Sequence, residues 1–125
     1  MATRSFTRQG GSTPFQPHRR PVARWVVRVE RGGPWDWSKD MRQQEGWDAH
    51  AAYMDGIFDE GFLLLAGPLE GDRYTLWVVE AESEDEIRRR MKEDPWSANR
   101  MLTPVSLERW TIVLDRLPKP NNIGS

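Results

Sequence analysis

The order of strand and helix patterns between residues 22 and 115 restricts the fold more than any other feature of this sequence. The first segment places Trp25, Val27 and Val29 on one side and charged residues on the other, with the period of two that is typical of a strand. Two further apolar runs are separated by a short polar segment containing Gly71, so they predict a β-hairpin. The four predicted strands are residues 22–31, 62–66, 74–81 and 105–114.

Two helices are predicted between these strands. The first spans residues 45–60, and its apolar side chains recur at spacings of four, three and four: Trp47, Ala51, Met54 and Phe58. The second begins at a capping box formed by Ser83 and Glu86 and ends before Pro95, because a proline disfavours helical geometry in the residue before it. Residues 96–102 are expected to form a connection or a single extra turn.

The resulting order, strand, helix, strand, strand, helix, strand, predicts an α+β fold of the ferredoxin-like type. Its four-stranded antiparallel sheet carries both helices on one face. The other face is left open, and we expect apolar positions around Trp77, Trp110 and Ile112 there. A second copy of the chain would cover them, so the sequence predicts a homodimer, with Trp25, Trp77 and Trp110 in the core or between the copies.

Composition excludes several classes of function. The chain has no cysteine, which rules out disulfides, a thiolate metal site and a cysteine nucleophile, and which favours a cytoplasmic location. Residues 22–115 hold 12 basic and 19 acidic residues, and this net charge of −7 suits a nucleic acid poorly. No apolar run reaches the roughly 18 to 20 residues of a membrane span. We therefore expect neither a nucleic-acid nor a membrane partner.

No cofactor or metal is expected. The sequence lacks a nucleotide, flavin or glycine-rich phosphate motif. His50 is the single histidine of residues 22–115, and His18 lies in the N-terminal leader, so a site with several histidine ligands cannot form. The cations between Arg88 and Lys92 follow three acidic residues, and this pattern is typical of the solvated face of a helix.

The two ends of the chain differ from its middle. Residues 1–21 are basic, contain glycine and proline and have few apolar groups, so a disordered leader is expected. The alternative is a docking arm for the acidic body or for an acidic protein partner. The predicted domain is residues 22–115, followed by a C-terminal tail at 116–125.

Three short motifs fall on the predicted elements in an order that resembles the YCII-related family. They are Trp47-Asp48-Ala49-His50 in the first helix, Ala66-Gly67-Pro68 at the end of the second strand and Asp94-Pro95-Trp96 after the second helix. The resemblance implies a dimeric α+β barrel with a cleft in which His50 and Asp94 face one another for acid–base chemistry. Members of the family often have an arginine three residues before this histidine, whereas this chain has Trp47, so anion recognition at that position is not implied.

An imidazole paired with a carboxylate is suited to proton transfer. The carboxylate fixes the tautomer of the ring and leaves the second nitrogen free to accept a proton. Both residues also have a purely structural interpretation. His50 lies on the apolar side of its helix, as a core histidine would, and Asp94 precedes a proline, as a helix cap would.

Seven tryptophans in 125 residues exceed what one small core requires. Four of them fall near the segments expected to surround the cleft, and with one methionine and one proline they form the predicted binding site for a small apolar or aromatic substrate: Trp35, Trp37, Trp47, Met54, Pro68 and Trp96. The alternative is that these rings pack the core and the dimer interface.

Two functions are compatible with this pattern. The first is a small cofactor-independent enzyme of the isomerase, lyase (dehydrohalogenase) or cyclase type, in which His50 is the base and Asp94 orients it. The second is a non-catalytic dimer that binds a small molecule or acts as a scaffold.

Overall fold

The computed structural model describes residues 22–117. The predicted leader, residues 1–21, lies outside the described residues, as do residues 118–125 of the predicted tail. The elements follow in the order β1 (Ala23–Arg31), α1 (Trp47–Asp59), β2 (Leu63–Pro68), β3 (Tyr74–Ala81), α2 (Glu84–Met91), α3 (Pro95–Ala98) and β4 (Leu102–Arg109), with one short 3-10 turn at Met41–Gln43.

The four strands form one antiparallel sheet in the order β2-β3-β1-β4. Placing β1 and β3 in the centre is the arrangement that two split βαβ units produce, so the predicted ferredoxin-like α+β fold is confirmed. Within residues 22–117, the helices pack on one face of the sheet, where the core cluster joins β1 and β3 to Ile57, Ile87 and Met91.

The core lies between the helices and the alternate residues of the two central strands. Trp25, Val27 and Val29 of β1 face the helices, as their period-two spacing predicted, and all three are buried. Trp77 of β3 pairs with Val27 and is 2% exposed. The expectation that Trp77 lies near the open face is therefore wrong, because cross-strand partners share a face and Val27 faces the helices.

The first helix begins two residues later than predicted, at Trp47. Its cap, Gly46, has a φ of 83° and no side chain to cap with, a conformation that glycine adopts without steric cost. Inward-facing positions are His50 and Ile57, while Phe58 is 58% exposed. The predicted apolar face is thus rotated, because Ile57 rather than its neighbour Phe58 points at the sheet.

The last strand differs most from its prediction. It was expected at 105–114 but runs from Leu102 to Arg109. It ends there because Arg109 pairs with Trp25 near the start of β1, and Trp110 makes the last backbone hydrogen bond, to Arg24. Beyond that point only Ala23 of β1 remains. Trp110 is 46% exposed, so it does not belong to the core of the single chain.

Helix α2 begins as its sequence predicted. The Ser83 hydroxyl accepts a hydrogen bond from the Glu86 amide, while the Glu86 carboxylate accepts one from the amide of Glu82, one residue earlier than in a standard capping box. Within residues 22–117, no helix combines the length and the apolar character that crossing a bilayer requires.

Candidate active site

Asp94 stands at the junction between α2 and α3. It has extended backbone angles, and its Oδ1 accepts a hydrogen bond of 3.0 Å from the Trp96 amide, so it is the N-cap of α3. Pro95 occupies the first helical position, where a missing amide hydrogen costs nothing. The single extra turn allowed for at 96–102 is therefore formed, and it aims the carboxylate at α1.

His50 meets this carboxylate from the first turn of α1. Its Nδ1 lies 2.9 Å from Oδ1 and 3.0 Å from Oδ2 of Asp94. The histidine is 6% exposed and the aspartate is fully buried. A carboxylate only accepts hydrogen bonds, so the proton of the neutral ring lies on Nδ1 and the lone pair on Nε2. Asp94 is thus both the cap of α3 and the partner of His50.

Trp96 forms the floor under the imidazole. The two rings are stacked, with centroids 4.0 Å apart and planes 9° apart. The indole is held in place by a hydrogen bond of 2.9 Å from its Nε1 to the carbonyl of Glu45. Trp47 contacts both rings from the side, with centroids 5.9 Å from each. The orientation of His50 is therefore set by a carboxylate and by two aromatic side chains.

The second ring nitrogen of His50, Nε2, has no protein partner in the part of the chain that the structure describes. Nε2 makes no hydrogen bond within residues 22–117, and it is not one of the two enclosed side-chain atoms that lack a partner there, Arg90 Nε and Ser97 Oγ. Among the described residues, Nε2 is therefore not fully enclosed. An imidazole fixed at Nδ1 and free at Nε2 can accept a proton from a bound molecule.

A cavity of about 260 Å³ lies beside this site, under the loop that follows β1. Three of the predicted binding residues line it: Trp35, Trp37 and Pro68. The other predicted residues line neither this cavity nor the open groove next to it: Trp47, His50, Met54, Asp94 and Trp96. Met54 is half-buried and packs against the core.

Ring contacts connect the cavity to the imidazole. Trp35 lies in the cavity wall and meets the Trp96 ring edge-on, with centroids 5.3 Å apart. Trp37 lies 6.2 Å from Trp35 on the outer side. The four tryptophans at 35, 37, 47 and 96 thus form one contiguous group, which we call the tryptophan cluster, and His50 stacks on its innermost member.

The position of the cavity depends on Gln44, which the sequence did not single out. Its buried side chain accepts a hydrogen bond from the Asp36 amide and donates to the carbonyls of Asp36 and Lys39, so it folds the loop between β1 and α1 onto itself. An isolated glutamine in a polar loop carries no signal that identifies such a role.

Arg31 is a second residue of the site that the sequence predictions did not include, although strand periodicity could have identified it. It lines both the cavity and the groove and is 7% exposed. The alternation of Trp25, Val27 and Val29 continues to position 31, so strand periodicity places this cation on the buried face. No group of three or more metal-ligating side chains converges anywhere in the part of the chain that the structure describes.

The model of the YCII-related domain matches residues 26–111. The chain belongs to this family. None of the curated proteins matches it. Among solved structures, it is similar to 5-chloro-2-hydroxyhydroquinone dehydrochlorinase (TftG) from Burkholderia phenoliruptrix AC1100 in complex with 2,5-dihydroxybenzoquinone. The TM-score is 0.51 and the identity 23%, over 73% of this chain and 94% of the other. An identity of 23% shows that this YCII-related chain and the dehydrochlorinase share a fold, and no more than that.

Proposed function

We propose that the protein is a cofactor-independent enzyme that moves a proton on a small apolar or aromatic molecule, with His50 as the base. The observation that carries this proposal is the contact of both Asp94 oxygens with His50 Nδ1, which makes Nε2 the acceptor nitrogen of the neutral ring. Isomerases, lyases of the dehydrohalogenase type and cyclases all use such a base, and none of these reactions needs an electron acceptor.

The chemistry that suits this site best is an elimination. His50 Nε2 takes a proton from the substrate, the electron pair of that bond forms a new double bond, and the leaving group departs with the pair of its own bond. When the leaving group is chloride, the products are the unsaturated molecule, chloride and the imidazolium. Asp94 and the face of Trp96 stabilise the positive charge on the ring while it lasts. Bulk water then takes the proton from Nε2.

A chlorinated hydroxyquinol is the first substrate to test, because the similar solved structure is that of a dehydrochlorinase. Purified protein is mixed with 5-chloro-2-hydroxyhydroquinone, and chloride release is followed over the uncatalysed rate. We expect His50→Gln to lower the catalysed rate by about 100- to 10,000-fold, the usual range for loss of a general base. His18→Gln is the matched control, and its rate should equal that of the native protein.

A broader assay covers the other two reaction types. Halogenated and non-halogenated phenols are incubated in deuterated water, and exchange of carbon-bound hydrogen is followed by NMR. The proposal would be refuted if the native protein showed no chloride release and no catalysed exchange with any of these molecules. Equal rates in the native protein and in His50→Gln would refute it as well.

The alternative function, a non-catalytic binding or scaffolding dimer, is favoured by one specific observation. His50 lines neither the cavity nor the groove of the single chain, and its ring packs flat on Trp96 as a core side chain does. On this interpretation His50→Gln lowers the free energy of unfolding but changes no rate.

The homodimer is part of the same proposal. Val26 and Leu65 lie on the sheet face opposite the helices, because both are neighbours of Val78 across the strands. Two exposed apolar residues, Val113 and Leu114, follow β4 along the chain. Apolar surface of this kind is typical of an interface, and a second copy packed on the open face would cover it.

A further inference from the structure

The cavity beside the tryptophan cluster contains a cation whose charge is poorly compensated. The side chain of Arg31 is 6% exposed, and the nearest carboxylate oxygen lies 3.7 Å away on Asp72, whose side chain is 75% exposed. Burial of a charge is costly unless it is paired and hydrogen-bonded. In agreement with this, burial lowers the pKa of Arg31 below the usual value for a guanidinium, and Asp72 opposes the effect only in part.

The hydrogen bonds of Arg31 leave much of the guanidinium unused. Within residues 22–117 its Nη1 donates to the carbonyl of Asp72 at 2.8 Å, and its Nη2 makes a weak contact of 3.7 Å with the sulfur of Met41. A guanidinium has five N–H donors in a planar fork that matches a carboxylate. One face of the fork lies 4.4 Å from the centre of the Trp35 ring, which holds it in a fixed orientation.

Two other cations, Lys39 and Arg42, and the carboxylate of Asp40 also line the cavity. Arg42 makes no ion pair within the described residues, and its guanidinium lies 5.7 Å from the Trp47 ring. The carboxylate of Asp40 already accepts from the backbone amides of the 3-10 turn. Lys39 has its own partner, Asp36, at 3.9 Å.

We infer that this cavity binds a planar organic anion, whose carboxylate or phenolate pairs with Arg31 while its ring lies against Trp37 and Pro68. The volume of about 260 Å³ lies just below the range of roughly 300 to 1,000 Å³ for drug-sized ligands and suits a single ring. Arg42 supplies a second positive charge at the rim. This inference deepens the proposed function. It rests on that function only for the further claim that the bound anion is the substrate.

The test compares anions with neutral molecules of the same shape. Benzoate is paired with benzamide, and 4-nitrophenolate with 4-nitroanisole, and each dissociation constant is measured on the full-length protein by calorimetry at low salt. The two pairs distinguish a carboxylate from a phenolate. We expect at least one anion to bind about tenfold or more tightly than its neutral match, as a charged hydrogen bond provides.

Variants then assign the preference to the cavity. Arg31→Gln is expected to abolish it, and Arg42→Gln, whose side chain is exposed, to reduce it about threefold. Arg89→Gln removes an exposed cation from α2 and is the matched control, with an unchanged preference. Arg31→Lys retains the charge without the fork and should retain only part of the preference. Circular dichroism establishes which variants fold.

Two results would overturn the inference. One is a native protein that prefers neither anion to its neutral match. The other is a preference that persists unchanged in Arg42→Gln and in every Arg31 variant that folds. Because binding is measured without turnover, the anion site can be tested separately from the proposed function. If His50→Gln keeps the preference for anions and the native protein shows no activity, the proposed function fails and the anion site stands.

Discussion

Both carboxylate oxygens of Asp94 contact the Nδ1 atom of His50, at 2.9 and 3.0 Å, in a place where neither side chain is appreciably exposed. The same Oδ1 caps α3 through the Trp96 amide. One carboxylate thus connects the end of the second helix, the short third helix and the first helix. Its capping role and its role toward the imidazole can be separated by substitution.

Asp94→Asn and Asp94→Ala are expected to differ in stability. Asparagine still caps α3 and still accepts one hydrogen bond, so we expect it to lower the free energy of unfolding by about 1 kcal/mol. Alanine leaves both the Trp96 amide and His50 Nδ1 without a partner in a buried place, at a cost of about 3 kcal/mol. Urea unfolding measures both values. Equal losses of unfolding free energy in Asp94→Asn and Asp94→Ala would mean that capping of α3 contributes nothing to stability.

In the catalytic assay the same two variants should behave alike. Neither side chain carries the negative charge that orients the ring and stabilises the imidazolium, so both should lose most of the catalysed rate, while only alanine loses much stability. A rate for Asp94→Asn equal to the native rate would contradict the role assigned to the carboxylate.

Two glycines of the first helix region form a matched pair. A Cβ at Gly46 would lie 3.1 Å from Trp96 Nε1, and the residue has a φ of 83°, so Gly46→Ala is expected to destabilise the protein by about 2 kcal/mol. Gly56 lies inside α1, and a Cβ there meets nothing within 4 Å. Gly56→Ala should therefore stabilise it by about 0.5 to 1 kcal/mol. Thermal unfolding of the two variants checks the opposite signs.

The stability should fall at alkaline pH through Tyr53. Its hydroxyl donates to the carbonyl of Arg90, and burial, followed by the nearby charges of Asp94 and Glu93, raises the pKa of the phenol above its ordinary value of 10.0. The unfolded chain then loses this proton first, so the contribution is fully present below pH 10 and is lost as the pH rises.

Tyr53→Phe tests this sign. At pH 8 it removes one hydrogen bond and should cost about 1 kcal/mol of unfolding free energy. Between pH 10 and 11 the native protein should lose more stability than the variant does, which narrows the difference between them. Denaturant titrations at both pH values measure it, and a difference that widens with pH would contradict the raised pKa.

The open face of the sheet provides a test of the dimer. Leu65 is 55% exposed on that face, and Phe58 is 58% exposed on α1, on the helical side. Leu65→Lys places a charge in the proposed interface, whereas Phe58→Lys makes the same kind of change outside it. We expect sedimentation velocity to show a native dimer, an unchanged dimer for Phe58→Lys and a monomer for Leu65→Lys. A native monomer at all concentrations would refute the homodimer.

Local patterns in the sequence were sufficient for the order of the elements. Strand alternation identified β1 and its buried face, and the serine before α2 and the proline after it marked the ends of that helix. These signals depend on residues a few positions apart, whose relation the backbone itself sets. The end of β4 was predicted wrongly because it depends on where β1, some eighty residues earlier, begins to offer partners.

The sequence by itself therefore determined the fold and nominated an imidazole and a carboxylate, but it left each with a structural interpretation. Only the tertiary structure decided that they touch, since 44 residues separate them and their distance depends on how two helices pack on one sheet. It also decided that the tryptophans form one cluster and that Arg31 lies buried beside a cavity. Such contacts depend on the packing of distant side chains, which periodicity does not encode.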